Sequence, residues 1–331
     1  MLTRDLLRVA PARRDHWPAT RIALGVALPL LLLLALNRLD LSVYAAFGAF
    51  TGIYGRHEPQ RSRLVHQAQA AALLCSCVAL GLLLAHSGLG GGVTVAVTAV
   101  VSLVTAVLGA RLGLRPAGAL FFVFALAVVA SVAHPPSYLL GTGVALASAS
   151  LSVALGWLGA HVSGRRRPEE LAPALPASLS SAELGRYGLR HLLAVGLAGA
   201  LSLRLGLHHT DWAMVAAAAP VGVLGHQARV QRSLHRIFGT LGGVGITGLL
   251  LALPLHPWQM AGLIVLLQFM AEIYIARNYG LALLFITPLA LLMSQLAHPS
   301  ASLPLLTARA GETALGAAVG LAVVLLLQSD S

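Results

Sequence analysis

The chain is built from apolar runs separated by short polar breaks, and this alternation fixes its class before any motif is sought. From Ile22 to Leu36 no residue can ionise. The pattern recurs along all 331 residues. Apolar residues make up 57% and Gly adds 34 positions, material for about eleven or twelve helices at ~20 residues per membrane span. Only 10% of the chain is charged, whereas a soluble domain carries ~25%. These values exclude a soluble enzyme, a nucleic-acid-binding domain and a disordered chain. They predict an all-α polytopic membrane protein of about twelve transmembrane helices.

The polar breaks place six spans at about 20–37, 41–55, 66–86, 91–110, 116–133 and 138–162. Six more fall at about 188–206, 211–225, 234–253, 258–275, 278–297 and 304–328. Residues 163–185 form a polar linker with Arg165, Arg166, Arg167, Glu169, Glu170 and three prolines. Within it Ser180 and Glu183 have the spacing of a capping box and predict a short helix. The basic front and apolar run at the N-terminus resemble a signal peptide. No small-residue cleavage site follows Leu36, so the run is read as an uncleaved first span.

The two sets of six echo each other. Gly55 and Gly225 lie 170 residues apart, Arg61-Ser62 and Arg232-Ser233 171, and His86 and His256 170. Ala133-His134-Pro135 matches Ala297-His298-Pro299 at 164, as Phe121 matches Phe285. Ordered matches at nearly one offset predict an internal duplication, with a first six-helix repeat over 1–162 and a second over 186–331. Six is even, so the repeats are parallel.

All 22 basic residues are Arg, which points to a GC-rich coding bias and a bacterial source. With both termini inside, nineteen of the 22 fall on the inner side and only Arg38, Arg204 and Arg309 on the outer side. The net charge of +11 is thus a topology signal under the positive-inside rule. It is not a nucleic-acid footprint. The location predicted is the cytoplasmic membrane, with lipid as the solvent.

No HExxH, GxSxG or Walker A motif is present, so no enzyme activity, cofactor or ATP-driven step is predicted. Cys75 and Cys77 are two apart on one apolar helix and face different ways, as small apolar filler does. His86, His134, His208, His209, His256 and His298 sit in outer loops or span ends with no convergent carboxylates or thiols, so no metal site is predicted.

Polar groups within spans are costly and carry the functional expectations. Arg309 and Glu312 share a helix face at i, i+3, either lining an aqueous path or anchoring the helix end. Glu272 and Arg277 read as solvated interfacial charges. Asp40 and Asp211 precede the second span of each set and read as outer-loop charges or cation-gathering groups. Those second spans are short: Leu41 to Gly55 spans only ~22 Å at 1.5 Å per residue, and its counterpart contains Pro220. Short or Pro-broken spans at matching places point to a substrate site. Tyr44, Phe47, Thr51 and Tyr54 recur at helical spacing and predict one face able to stack a planar ligand, or alternatively to anchor and pack. Gly239 and Gly243 form a GxxxG for close helix packing.

The runs Arg236-x-x-Gly239-Thr240-x-x-Gly243, Asp211-Trp212-Ala213 and Arg309-x-x-Glu312-Thr313-x-x-Gly316 resemble the fusaric-acid-resistance (FUSC) or aromatic acid exporter family. Plant aluminium-activated malate transporters are more distant relatives. All three runs lie in the second half, and Tyr44-Ala45 echoes Trp212-Ala213. The resemblance implies export of small, often aromatic, carboxylic acids, or passive conduction of organic anions. It implies a pore where the six-helix units meet. The duplicated layout, the short second spans and the aromatic face point to a proton-driven exporter, with Arg309 and Glu312 as the gating or coupling pair and Asp211, Trp212, Thr240, Tyr44, Phe47, Thr51 and Tyr54 along the pathway. Many members of the family carry a cytoplasmic domain after each membrane unit, for which linker and tail here are too short. That leaves open a third reading, a non-transporting assembly component with an envelope protein or a second copy of the chain as partner.

Overall fold

A computed structural model describes residue 6 and residues 8–11, 15–162, 180–223, 225–297 and 299–327. Most of the predicted linker, including its three arginines and Glu169-Glu170, lies outside the described residues, as does His298. The described residues form twelve α-helices and no strand. They are α1 (His16–Ala35), α2 (Ser42–Ala49), α3 (Gln60–Ser87), α4 (Gly91–Arg111), α5 (Leu120–Ala130), α6 (Tyr138–Val162), α7 (Ser181–Arg204), α8 (Thr210–Val221), α9 (His226–Leu251), α10 (Pro257–Ile275), α11 (Tyr279–Ala297) and α12 (Ser302–Leu326).

Eight of these are long and apolar enough to cross a membrane: α1, α3, α4, α6 and α9 to α12. The other four fall short for identifiable reasons. The α2 segment and α5 are apolar but short. Helix α8 has only 12 residues, and α7 carries Arg186, Arg190 and Arg204.

The predicted short linker helix is instead the first turn of α7. The Ser180 hydroxyl accepts from the Glu183 N–H while the Glu183 carboxylate accepts from the Ser180 N–H. This reciprocal cap satisfies two orphan donors and starts a helix of 24 residues.

The second spans are shorter than predicted. A 3-10 turn at Leu39–Leu41 precedes α2 and another at Phe50–Ile53 follows it, so only eight residues are α-helical. Gly55 then takes φ +65° and Gly225, after α8, takes φ +82°. Both are left-handed positions that favour glycine.

The chain forms two compact units, neither of them a continuous stretch. One holds residues 1–75, 136–171 and 238–307, so that α1, α2 and α6 pack with α10 and α11. Its core joins Leu30 of α1 to Ala261, Ile264 and Leu267 of α10 and Leu289, Leu292 and Leu296 of α11. Gly239 and Gly243 lie against the Gly280 and Leu283 carbonyls, so the GxxxG is a packing face. The other unit holds residues 76–135, 172–237 and 308–331, so that α7, α8 and the rest of α12 pack with α4 and α5. Val95 and Ala99 of α4, Val123 of α5, Val195 of α7 and Met214 and Ala218 of α8 form its core. Leu31, Leu32, Leu139, Leu249 and Phe238 are among the large apolar side chains left exposed, as lipid-facing positions are.

Candidate functional site

Four of the nine predicted pathway residues come together in the second unit. Asp211 and Trp212 stand in the first turn of α8, and Arg309 and Glu312 face them from α12. Two glycines allow this approach. A methyl group at Gly316 would overlap the Ala213 carbonyl oxygen, and one at Gly320 would crowd that of Ala217. The α12 backbone therefore lies directly on α8.

All four residues are buried. The Arg309 guanidinium carbon lies 5.0 Å from the Trp212 ring centroid, inside cation–π range. The His209 ring stacks on Trp212 at 4.1 Å with 9° between planes. Oε1 of Glu312 accepts a 2.9 Å hydrogen bond from the His209 N–H. His209 is the N-cap residue of α8 and provides no side-chain cap, so Glu312 serves that donor from the neighbouring helix. A carboxylate there also suits the positive end of the helix dipole. Asp211 lies within electrostatic reach of both Glu312 and Arg309. Oδ1 of Asp211 and Oε2 of Glu312 have no hydrogen-bond partner among the described residues. In the loop before α8, burial first, then His208 and Arg309, pushes the His209 imidazole below its ordinary value. Asp211 is thus a buried carboxylate. Asp40, by contrast, remains exposed, paired with Arg38 at 2.9 Å.

The other five lie in the first unit. Tyr44, Phe47, Thr51, Tyr54 and Thr240 are all buried. The expected single face does not form. Tyr44 and Phe47 belong to α2, Thr51 to the 3-10 turn, and Tyr54 has extended backbone beyond it. Phe47 meets Phe50 edge-on at 5.7 Å. Tyr44 Oη and Thr51 Oγ1 are buried without a hydrogen-bond partner among the described residues.

The first unit also holds a charged group that the sequence reading passed over. Arg56, just past the second span, pairs with the Glu272 carboxylate and also donates to the Glu272 carbonyl. Gln268 donates to the same carboxylate at 3.1 Å from one turn back on α10. Asp15 lies 3.7 Å from both Arg56 and His57, and Arg21 is near enough to Glu272 to attract it. Glu272 is therefore a buried, paired carboxylate and not a solvated one. The signal that could have found it is Gln268 and Glu272 at i, i+4 within an apolar run, which makes a polar stripe. Arg277 donates to the Ala10 carbonyl at 2.9 Å. Among the described residues no three His, Cys, Asp or Glu side chains form a metal-holding group.

Residues 196–323 match the family model described as fusaric acid resistance protein-like. That stretch contains Asp211, Trp212, Thr240, Arg309 and Glu312. A curated relative, described as "Uncharacterized membrane protein YvaC" of Bacillus subtilis (strain 168), is 29% identical over 140 residues. The match covers 42% of this chain and 22% of that protein, so the chain spans about a fifth of its relative's length. No solved structure matches. With eight long apolar helices among the described residues, the chain is a multi-pass membrane protein.

Proposed function

We propose that the protein exports small organic acids, aromatic carboxylates in particular, coupled to the proton gradient. One observation carries this reading: Arg309, Trp212, Asp211 and Glu312 form a buried group inside the stretch that resembles the fusaric-acid-resistance proteins. Charged side chains in membrane helices are expensive and mark ion or substrate paths. A guanidinium over an indole offers a carboxylate its counter-charge and an aromatic ring a stacking surface. Two neighbouring buried carboxylates offer a place for a proton.

The reading includes two parallel six-helix repeats with both termini in the cytoplasm, and the arginine count supports that orientation. Paired features at similar offsets support the repeats. Asn37 and Gly206, both at positive φ, end α1 and α7, and Gly55 and Gly225 follow α2 and α8. The close approach of α2 and α6 at Gly48 and Ala145 has its counterpart between α8 and α12 at Ala213 and Gly316, with the glycine on the other helix of the pair. In this arrangement the repeats exchange helices. The first lends α4 and α5 to the unit of α7 and α8, and the second lends α10 and α11 to the unit of α1 and α2.

The test is uptake of benzoate and of aliphatic acids into inside-out vesicles, with and without a proton gradient. The reading requires gradient-dependent uptake that Arg309→Ala abolishes while membrane levels of the protein hold. Uptake that follows the anion gradient alone would replace the exporter by a channel. No uptake of any acid, with a stoichiometric envelope partner recovered, would replace it by an assembly role.

A further inference from the structure

Arg21, near the start of α1, and Arg63, in the first turn of α3, lie close enough within the first unit for their charges to repel. Each nearby carboxylate is already engaged. Glu272 is held by Arg56 and Gln268. Glu58 accepts from Ser62 at 2.6 Å and pairs with His66. Asp15 faces Arg56 and His57.

Arg63 is itself more than nine-tenths buried, at 7% exposure. Its two terminal nitrogens are fixed by main-chain carbonyls, one to Gly156 at 2.7 Å and one to Glu58 at 3.4 Å. Its Nε has no hydrogen-bond partner among the described residues, and neither do Nε and Nη2 of Arg21. Gly156 and Gly159 lie one turn apart on α6 beside the pair, the Gln67 amide filling the space over Gly156. Gly156 supplies the carbonyl for Arg63, and the Arg21 side chain passes over Gly159.

Buried donors on a cation that meet no acceptor are strongly destabilising, more so at membrane depth. A group with two anionic oxygens would supply both acceptors and charge, in the geometry that guanidinium groups favour. We propose that Arg21 and Arg63 form a binding site for the carboxylate of a small organic acid. The site rests on the exporter reading, which places the starts of α1 and α3 on the cytoplasmic side, where cargo loads. The same oxyanion chemistry could come from a lipid phosphate.

The test titrates benzoate into the purified full-length protein in phosphatidylcholine nanodiscs, with chloride at equal ionic strength as reference. Native mass spectrometry reads retained phosphatidylglycerol in parallel. Saturable benzoate binding is expected, weakened about tenfold or more in Arg21→Gln and in Arg63→Gln, the loss of one charge-assisted hydrogen bond. The exposed Arg204→Gln should bind as the parent does. If the Gln variants fail to fold, Arg21→Lys and Arg63→Lys keep the charge, lose the planar fork, and are expected to bind several-fold more weakly. Benzoate binding at parental affinity in the folded variants overturns the proposal. So does phosphatidylglycerol retention that depends on Arg21 in a protein that does not bind benzoate. Because binding is read without flux, binding that depends on Arg21 with no transport keeps this site and removes the exporter reading. Parental transport by Arg21→Gln does the reverse.

Discussion

The Glu312 carboxylate and the His209 backbone N–H are joined by a 2.9 Å hydrogen bond, so a side chain of α12 caps the start of α8. Two buried carboxylates, Asp211 and Glu312, then face one buried guanidinium, that of Arg309. The balance depends on Arg309. Arg309→Ala leaves two like charges without their counter-ion, a loss of about 3–5 kcal/mol if both stay ionised. Export should fall more than tenfold. Arg309→Lys keeps the charge but loses the flat group over Trp212, about 0.5–2 kcal/mol, and should export at an intermediate rate. Vesicle uptake normalised to membrane protein level measures both.

Glu272 holds Arg56 across 216 residues of sequence. Glu272→Ala should destabilise the protein by about 1.5–3 kcal/mol, because it leaves the half-buried Arg56 with only Asp15, at 3.7 Å, as counter-charge. Replacing Arg56 as well should cost much less than the two single changes summed. A double-mutant cycle of melting temperatures in detergent reads the coupling, and additive losses would show that the pair is not coupled.

Gly316 and Gly311 stand on the same helix in opposite situations. A methyl at 316 overlaps the Ala213 carbonyl, whereas at 311 it meets nothing within 4 Å. Gly316→Ala should separate α12 from α8, lower the melting temperature and reduce export. Gly311→Ala should be neutral or gain up to about 1 kcal/mol from helix propensity. Equal melting of the two variants would mean that the close approach is not required.

The amide and hydroxyl of Ser180 hold the Glu183 carboxyl below the usual carboxylate range. A depressed folded value stabilises above the unfolded value, near ~4.3, and that stability is lost as pH falls through the folded value. Amide exchange over residues 181–184, corrected for intrinsic rates, should therefore be slow near pH 7 and accelerate below about pH 4. Ser180→Ala should accelerate it at both pH values.

The helical class was legible because hydropathy at membrane scale dominates all local signals, and each described helix overlaps a predicted span, although only eight are long and apolar enough to cross a membrane. The Arg309 group was legible because Arg309 and Glu312 are near in sequence, as are Asp211 and Trp212. The face from Tyr44 to Tyr54 was misread because helical spacing presumes a continuing α-helix. Here Gln67 on α3 donates to the Tyr54 carbonyl at 3.2 Å, and the chain tightens to 3-10 and then straightens. The Gln268–Glu272 stripe marks one side of the Arg56–Glu272 pair in local spacing, but the partner 216 residues away is set only by tertiary packing.

The makeup of the two compact units also bears on how the chain can be divided. A cut between α6 and α7 would yield two fragments with six of the described helices each, and neither would be self-sufficient. The first would leave Leu30 facing nothing where Ala261 and Ile264 should lie. The second would leave Val195 and Met214 without Val95 and Val123. Such fragments should accumulate only when produced together, each acting as the other's missing scaffold.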